Sequence, residues 1–179
     1  MIDLDDLEGS ISELYKLYHL EVYKFLICFC ANQIDAEDLT QEVFIRVLNN
    51  LSSYNQQSSI KTWIFSIAKH AAIDHHRKKK FVTFFKEGFF KNIESEAKQP
   101  DEWLEEQDIK RAVHDAISRL KPHFRAVVIL RGINECSIKE TSEILQCSKS
   151  KVKVSYHRAL KELRRKLNVE GEEALRNAK

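Results

Sequence analysis

Ser137-Ile138-Lys139-Glu140-Thr141-Ser142-Glu143-Ile144-Leu145-Gln146-Cys147-Ser148-Lys149-Ser150-Lys151-Val152-Lys153-Val154-Ser155-Tyr156-His157-Arg158-Ala159-Leu160 reads as a helix, a tight turn and a second helix. Ser137 is placed to cap the first helix, and Glu140 completes capping-box spacing. Ile138, Thr141, Ile144 and Leu145 share one face, and Ser142 is small enough for two helices to approach at a steep angle. Ser148 caps the second helix, in which Val152, Tyr156, Leu160, Leu163 and Leu167 form an inward stripe. Its outward face carries Lys149, Ser150, Lys151, Val154, His157, Arg158 and Lys161, with Lys153 on the flank. Cations for phosphates and small or polar tips for base edges suit this face to a DNA major groove. A basic amphipathic helix is ordinarily just a solvated one; the helix–turn–helix spacing is what favours the nucleic-acid reading. The turn of such a motif often holds Gly, because one residue there needs φ > 0; here Gln146 takes that place, at a cost on the order of 1 kcal/mol.

Composition agrees with a helical chain. The 179 residues include only four Gly and two Pro, and helix formers dominate, so the expected fold is all-α: two small helical domains joined by a flexible linker. No run approaches the length of an apolar transmembrane helix, and direct membrane insertion is not expected. The acidic start, MIDLDDLEGS, lacks a signal peptide's basic end and apolar core, which points to the cytoplasm. The net charge of +2 hides an asymmetry. Arg119 to Lys166 carries about +9 and Glu94 to Asp108 about −6, so the C-terminal part offers a nucleic-acid face and the acidic middle avoids DNA or imitates it. Cys28, Cys30, Cys136 and Cys147 lack zinc-ribbon spacing, and Cys28 and Cys30 sit in the apolar run FLICFCA, where core packing explains them. No metal or cofactor is expected.

Upstream, Ile11 to Ala31 reads as a helix with Ile11, Leu14, Leu17, Tyr18, Val22, Phe25, Leu26 and Phe29 inward. Asn32-Gln33-Ile34 breaks the pattern, and Asp35 is the expected N-cap of a helix from Ala36 to Leu51. Ala36, Leu39, Val43 and Val47 are its inward stripe, broadened by Phe44 and Leu48; Asp38, Gln41, Glu42 and Arg46 lie mostly on other faces. The polar loop from Ser52 to Ser59 precedes a helix from Ile60 to Lys80, with Trp63, Ile64, Ile67, Ala68, Ala71 and Ala72 inward. Its end, His75-His76-Arg77-Lys78-Lys79-Lys80, holds more cations than a helix dipole requires, so phosphate contact is the better reading. Phe81 to Glu106 is first aromatic (Phe81, Phe84, Phe85, Phe89, Phe90) and then acidic, with Pro100 marking a linker. Asp108 to Leu120 is an amphipathic helix; Pro122 opens another, which Gly132 ends.

Three stretches together resemble the sigma-70 family of RNA polymerase sigma factors, in its extracytoplasmic-function (ECF) group and most like bacillus-type members. Ala36 to Phe44 is similar to the core-binding region 2.2; Lys61 to His70, with Asp74 and Arg77, is similar to regions 2.3 and 2.4; the helix–turn–helix is similar to region 4.2. The resemblance implies a sigma2-like domain over 1–80, a linker over 81–107 and a sigma4-like domain over 108–179. It implies a promoter-specificity subunit with no chemistry of its own, serving a stress or envelope regulon. Lys149, Ser150, Lys151, Lys153, Val154, His157 and Arg158 would then meet the −35 element. Tyr54, Asn55, Gln56, Ser58, Lys69, His70, Arg77 and Lys78 would serve the −10 element, where the loop and His70 match the family's base-capturing pocket. Many relatives have Asn at the place of His70, which changes the expected base choice. Asp38, Gln41 and Glu42 match the family's contacts to a coiled coil of the largest subunit of core RNA polymerase. The linker would run toward the RNA exit path, and an anti-sigma factor, often membrane-anchored, is implied as a partner.

Two other readings compete. A stand-alone helix–turn–helix regulator would leave the Asp38-Gln41-Glu42 helix and the Trp63 helix unexplained. A metal hydrolase built on Asp74, His75 and His76 meets a geometric objection, because adjacent helical residues point about 100° apart.

Overall fold

Leu14, Val22, Phe25, Leu26 and Phe29 recur at helical spacing, and all five are buried along helix α1, Leu7–Cys30. The structure, a computed structural model, describes residues 7–89 and 106–177, with side chains over 11–82 and 112–167. Leu17, expected inward, is 65% exposed, at the edge of the buried stripe rather than within it. Ala31 turns the chain through a left-handed φ of 54°. Helix α2, Gln33–Asn50, then starts earlier than expected. Asn32 caps it, its side chain accepting from the Asp35 N–H at 2.9 Å. Asp35 is thereby left in the first turn, where it favours the helix dipole and reaches Lys79 at 2.8 Å and His75 at 3.6 Å. Ala36, Leu39, Val43, Phe44 and Val47 are buried as expected, whereas Leu48 is exposed.

A 3-10 turn, Leu51–Ser53, and an irregular loop lead into helix α3, Ile60–Phe89. The helix does not stop at Lys80; nothing from Phe81 to Glu87 breaks it, and the exposed cations at 77–80 ride along its surface. The side chains of Phe84, Phe85, Phe89 and Phe90, and the acidic segment over 90–105, lie outside the described residues.

The C-terminal half consists of α4 (Glu106–Ser118), α5 (Pro122–Val128), α6 (Ile138–Ile144) and α7 (Lys149–Asn177). Pro122 occupies the first turn of α5, where no N–H is needed. The end of α5 is not a Gly132 cap. The backbone widens into a π-helical turn, Ile129–Ile133, with Asn134 N–H donating to the Ile129 carbonyl at 2.9 Å; Glu135, at φ 53°, makes the left-handed step instead. The helix–turn–helix follows its local chemistry closely. Ser137 and Glu140 form the full capping box, at 3.1 and 2.7 Å. Gln146 has φ 51°, and Cys147 N–H donates back to the Ser142 carbonyl at 2.9 Å, a Schellman closure of α6.

Among the described residues there are helices and turns only. One buried cluster runs from Leu14 to Ala159 through both halves. Helix α1 packs on α4 and the π turn, and α3 packs on α6.

Candidate nucleic-acid and protein interfaces

Helix α7 is held by Val152, Ser155 and Ala159, all buried, with Tyr156, Leu160 and Leu163 half-buried beside them. Ser155 and Ala159 were not in the expected stripe, because a hydroxyl and a methyl carry little apolar signal. Ser155 is satisfied by His123, whose Nε2 lies 3.0 Å from its Oγ. Burial, then the Lys151 charge, hold the His123 pKa below the usual histidine value, which favours the neutral ring. With that side anchored, Lys149, Ser150, Lys151, Lys153, Val154, His157 and Arg158 all stand exposed. Arg131, which the sequence reading did not single out, lies beside this face. It donates to the Cys136 carbonyl, sits 5.8 Å from the Tyr156 ring centre and lines a shallow groove with Lys153 and His157.

The loop before α3 is built by its own side chains. The Tyr54 hydroxyl donates to the Ser58 carbonyl, the Tyr54 ring packs on Trp63 at 5.1 Å, and Asn55 accepts from the Gln57 N–H at 3.3 Å. Gln56 adopts φ 57°, and Ser59 caps α3 by accepting from the Thr62 N–H at 3.1 Å. The loop tips are polar and exposed. Across from them lies α6. A cleft of about 840 Å³ runs between Tyr54, Gln56, Gln57 and Ser58 on one side and Ser137, Lys139, Glu140 and Glu143 on the other.

The eight residues assigned from sequence to a downstream DNA site fall into three groups. Tyr54, Gln56 and Ser58 line the cleft, with Asn55 at the loop tip. Lys69 and His70 lie elsewhere on α3, near Arg46 and Asp74. Lys69 is not the expected surface cation: it is 6% exposed, and its Nζ lies 2.8 Å from His70 Nε2. Burial lowers the Lys69 pKa; burial and then Lys69 lower that of His70. Arg77 and Lys78 form the third group, exposed farther along the same helix.

On α2, the inward stripe leaves Asp38, Gln41 and Glu42 exposed together, with Glu42 paired to Arg46 at 2.5 Å. Ile34 and Ile45, 70% and 58% exposed, flank these polar residues. The sequence reading missed both isoleucines, although their spacing from Asp38 and Gln41 puts them on the same outer face.

Residues 14–82 match the family described as Sigma-70 region 2, and residues 110–163 match Sigma-70, region 4. The ECF RNA polymerase sigma factor SigX of Bacillus subtilis (strain 168) is 38% identical over 173 residues, which is 94% of this chain and 89% of that relative. The chain belongs to the sigma-70 family, in its ECF group. The RNA polymerase sigma factor YlaC of the same organism is 34% identical, with 92% of this chain and 95% of YlaC covered. Among solved structures, the sigma factor RpoE of Bartonella quintana, in complex with the anti-sigma factor NepR, superimposes with a TM-score of 0.70 at 26% identity, covering 88% of this chain and 96% of that one. As a sigma factor, the protein is a promoter-specificity subunit of RNA polymerase and not an enzyme.

The remaining reactive groups of the sigma factor are structural. All four cysteines are free thiols, and burial pushes Cys28, Cys30 and Cys136 each up to about 11, far from reactive thiolates. His75 faces Asp35, while His76 meets the Phe29 ring edge-on at 6.4 Å. The two rings therefore serve different neighbours, and among the described residues no His, Cys, Asp and Glu cluster could hold a metal. Among the same residues no helix is long and apolar enough to cross a membrane.

Proposed function

We propose that this sigma factor brings core RNA polymerase to promoters with −35 and −10 elements through three separate faces. The exposed side of α7 meets the −35 major groove: Lys149, Lys151, Lys153 and Arg158 take phosphates or guanine edges, Val154 a thymine methyl, and Ser150 and His157 a base or phosphate. The loop at Tyr54–Ser58, with Arg77 and Lys78 on backbone phosphates, acts at the −10 element, where capture of an extruded base traps the open strand. His70 and its buried partner Lys69 complete that element's reading. Asp38, Gln41 and Glu42 dock on the largest subunit of the core enzyme.

The observation that carries this reading is the capped α6–α7 pair. Its inner side buries Thr141, Ser142, Ile144, Val152, Ser155 and Ala159, while every residue assigned to the −35 contact is exposed. The domains follow as 1–80, 81–107 and 108–179, the site of action as the cytoplasm, and the regulon as one of stress or envelope genes. An anti-sigma factor is the expected inhibitory partner, supported by the likeness to RpoE, which is solved with one.

Run-off transcription with purified core enzyme on genomic fragments tests the proposal. Discrete start sites should require both core and this protein. Start sites absent under all conditions, or sequence-specific duplex binding by the free protein that gains nothing from core, would favour a stand-alone regulator instead.

A further inference from the structure

Helix α3 continues past its packed part. Ala71 and Ala72 are buried and His76 is half-buried, but from Arg77 to Val82 every residue is exposed, Phe81 at 64% and Val82 at 49%. The helix still runs to Phe89, so roughly 20 Å of it follows the last half-buried residue.

That stretch has a pattern of its own. At 100° per residue, positions 81, 82, 84, 85 and 89, four Phe and one Val, fall within about 160° of the helix circumference. Positions 79 and 86, both Lys, border that sector on one side, and position 80, also Lys, borders it on the other. From His75 to Asn92 the chain holds six Lys and Arg against one carboxylate, Glu87, and the acidic stretch starts only at Glu94.

An aromatic face with lysines along both borders suits a helix lying in a membrane interface. The rings enter the acyl boundary, and the lysine stems extend so that their ammonium groups reach the phosphates. The excess of cations specifies an anionic surface, since each cation near such a surface tightens binding by about fivefold. The stretch is too short and too charged to span a bilayer. Single-stranded nucleic acid also takes aromatics and cations, but in a groove that tracks the strand; one helix offers a convex surface instead.

We propose that the end of α3, from Arg77 to Phe89, docks this sigma factor on the surface of an anionic phospholipid bilayer, lying on it without crossing. Arg77 and Lys78 then face headgroups, so a surface-bound chain is withheld from promoter DNA. That consequence rests on the function proposed above; the docking does not.

The test uses the full chain with vesicles of phosphatidylglycerol and phosphatidylcholine, compared with vesicles of phosphatidylcholine alone, and reads binding by co-sedimentation. Wild type should bind the anionic vesicles at least about tenfold more tightly than the neutral ones, and salt should weaken the binding. Phe81→Ser with Phe85→Ser should cost at least about tenfold. Lys80→Gln with Lys86→Gln, which leaves Arg77 and Lys78 in place, should cost about tenfold or more. Circular dichroism checks helix content; if the first Phe pair loses it, Phe85→Ser with Phe89→Ser, at the end of the helix, decides. A wild type that ignores anionic vesicles, or folded Phe variants that bind them as wild type does, would overturn the docking. If those variants instead lose affinity for a single-stranded oligonucleotide, the aromatic face serves nucleic acid. Fork-junction DNA from a start site mapped by run-off transcription should displace wild type from the vesicles; binding indifferent to that DNA would overturn the withholding. Absent start sites would count against the promoter reading and leave the sedimentation result standing.

Discussion

Lys69 Nζ meets His70 Nε2 at 2.8 Å on the same helix, although Lys69 is buried and His70 exposed. The lowered His70 pKa favours the neutral ring, whose unprotonated nitrogen accepts from Lys69 in the tautomer with Nδ1 protonated. His70 is thus both a support for a buried cation and an outward group available to DNA. An amide presents a different donor–acceptor set from an imidazole, so His70→Asn should change the preferred base at the −10 element and leave the −35 preference intact. Selection of active promoters from a randomised −10 library reads this, and an unchanged base profile would leave His70 only its internal role. His70→Ala removes the acceptor outright and should lower stability by about 1–3 kcal/mol in denaturant titration.

Histidine burial makes stability depend on pH. His123, held against Ser155 near Lys151, and His76, near Arg125 and Lys80, both have folded-state pKa values below the ordinary 6.5. The unfolded chain then takes up protons more readily than the folded one. Their contribution is fully present above the unfolded value and is lost as pH falls below it toward the folded values. The melting temperature should therefore decline as pH is lowered from neutral through the region below 6.5. His123→Gln, which keeps a polar partner for Ser155 but does not titrate, should flatten the decline. An unchanged slope would place the titration elsewhere.

The upstream contact separates base reading from phosphate holding. Arg158 and Lys161 are both exposed on α7. If Arg158 reads a guanine bidentately, Arg158→Ala should weaken promoter use by about 1–3 kcal/mol, and the loss should depend on the base it faces. Lys161→Ala should weaken all promoters alike. Transcription from a panel of −35 variants compares them; equal losses across the panel for both substitutions would end the distinction.

Local chemistry was legible in the sequence, and long-range packing was not. Ser137, Glu140, Gln146 and Ser148 each act on backbone within a few residues, so the caps and the left-handed turn followed from spacing alone. The same logic misplaced the start of α2, because Asn32 and Asp35 are equally good caps and only the fold chooses between them. Lys69 read as a surface cation because a lysine is seldom buried without a paired charge, yet its helical face turns it inward. Arg125 gave even less warning: it stands in the core-forming segment Phe124 to Leu130, and its partner Phe29 is remote in the chain. The cleft opposite the loop depends on how the two halves meet, which no local pattern encodes.

Dependence on core enzyme is tested most directly on α2. Leu39 and Val43 are buried, which turns Asp38 and Glu42 outward beside the exposed Ile45. Among the described residues Glu42 pairs with Arg46, both exposed, and a pair of that kind is worth about a few tenths of a kcal/mol. Replacing it with Lys puts two cations one turn apart, a penalty of similarly small size. Glu42→Lys should therefore keep the helix content and nearly the melting temperature of the wild type. At an interface the same change sets a wrongly signed charge against the partner, which can cost several kcal/mol. Binding to purified core and run-off transcription should both collapse. Ile45→Ala should weaken core binding more mildly, since it removes apolar contact without introducing repulsion. Leu39→Asp is the contrasting control: it buries an unpaired carboxylate in the α1–α2 packing and should lose the fold itself. A Glu42→Lys protein that binds core and transcribes like wild type would move the docking surface off α2, and the exposed isoleucines would then need another partner.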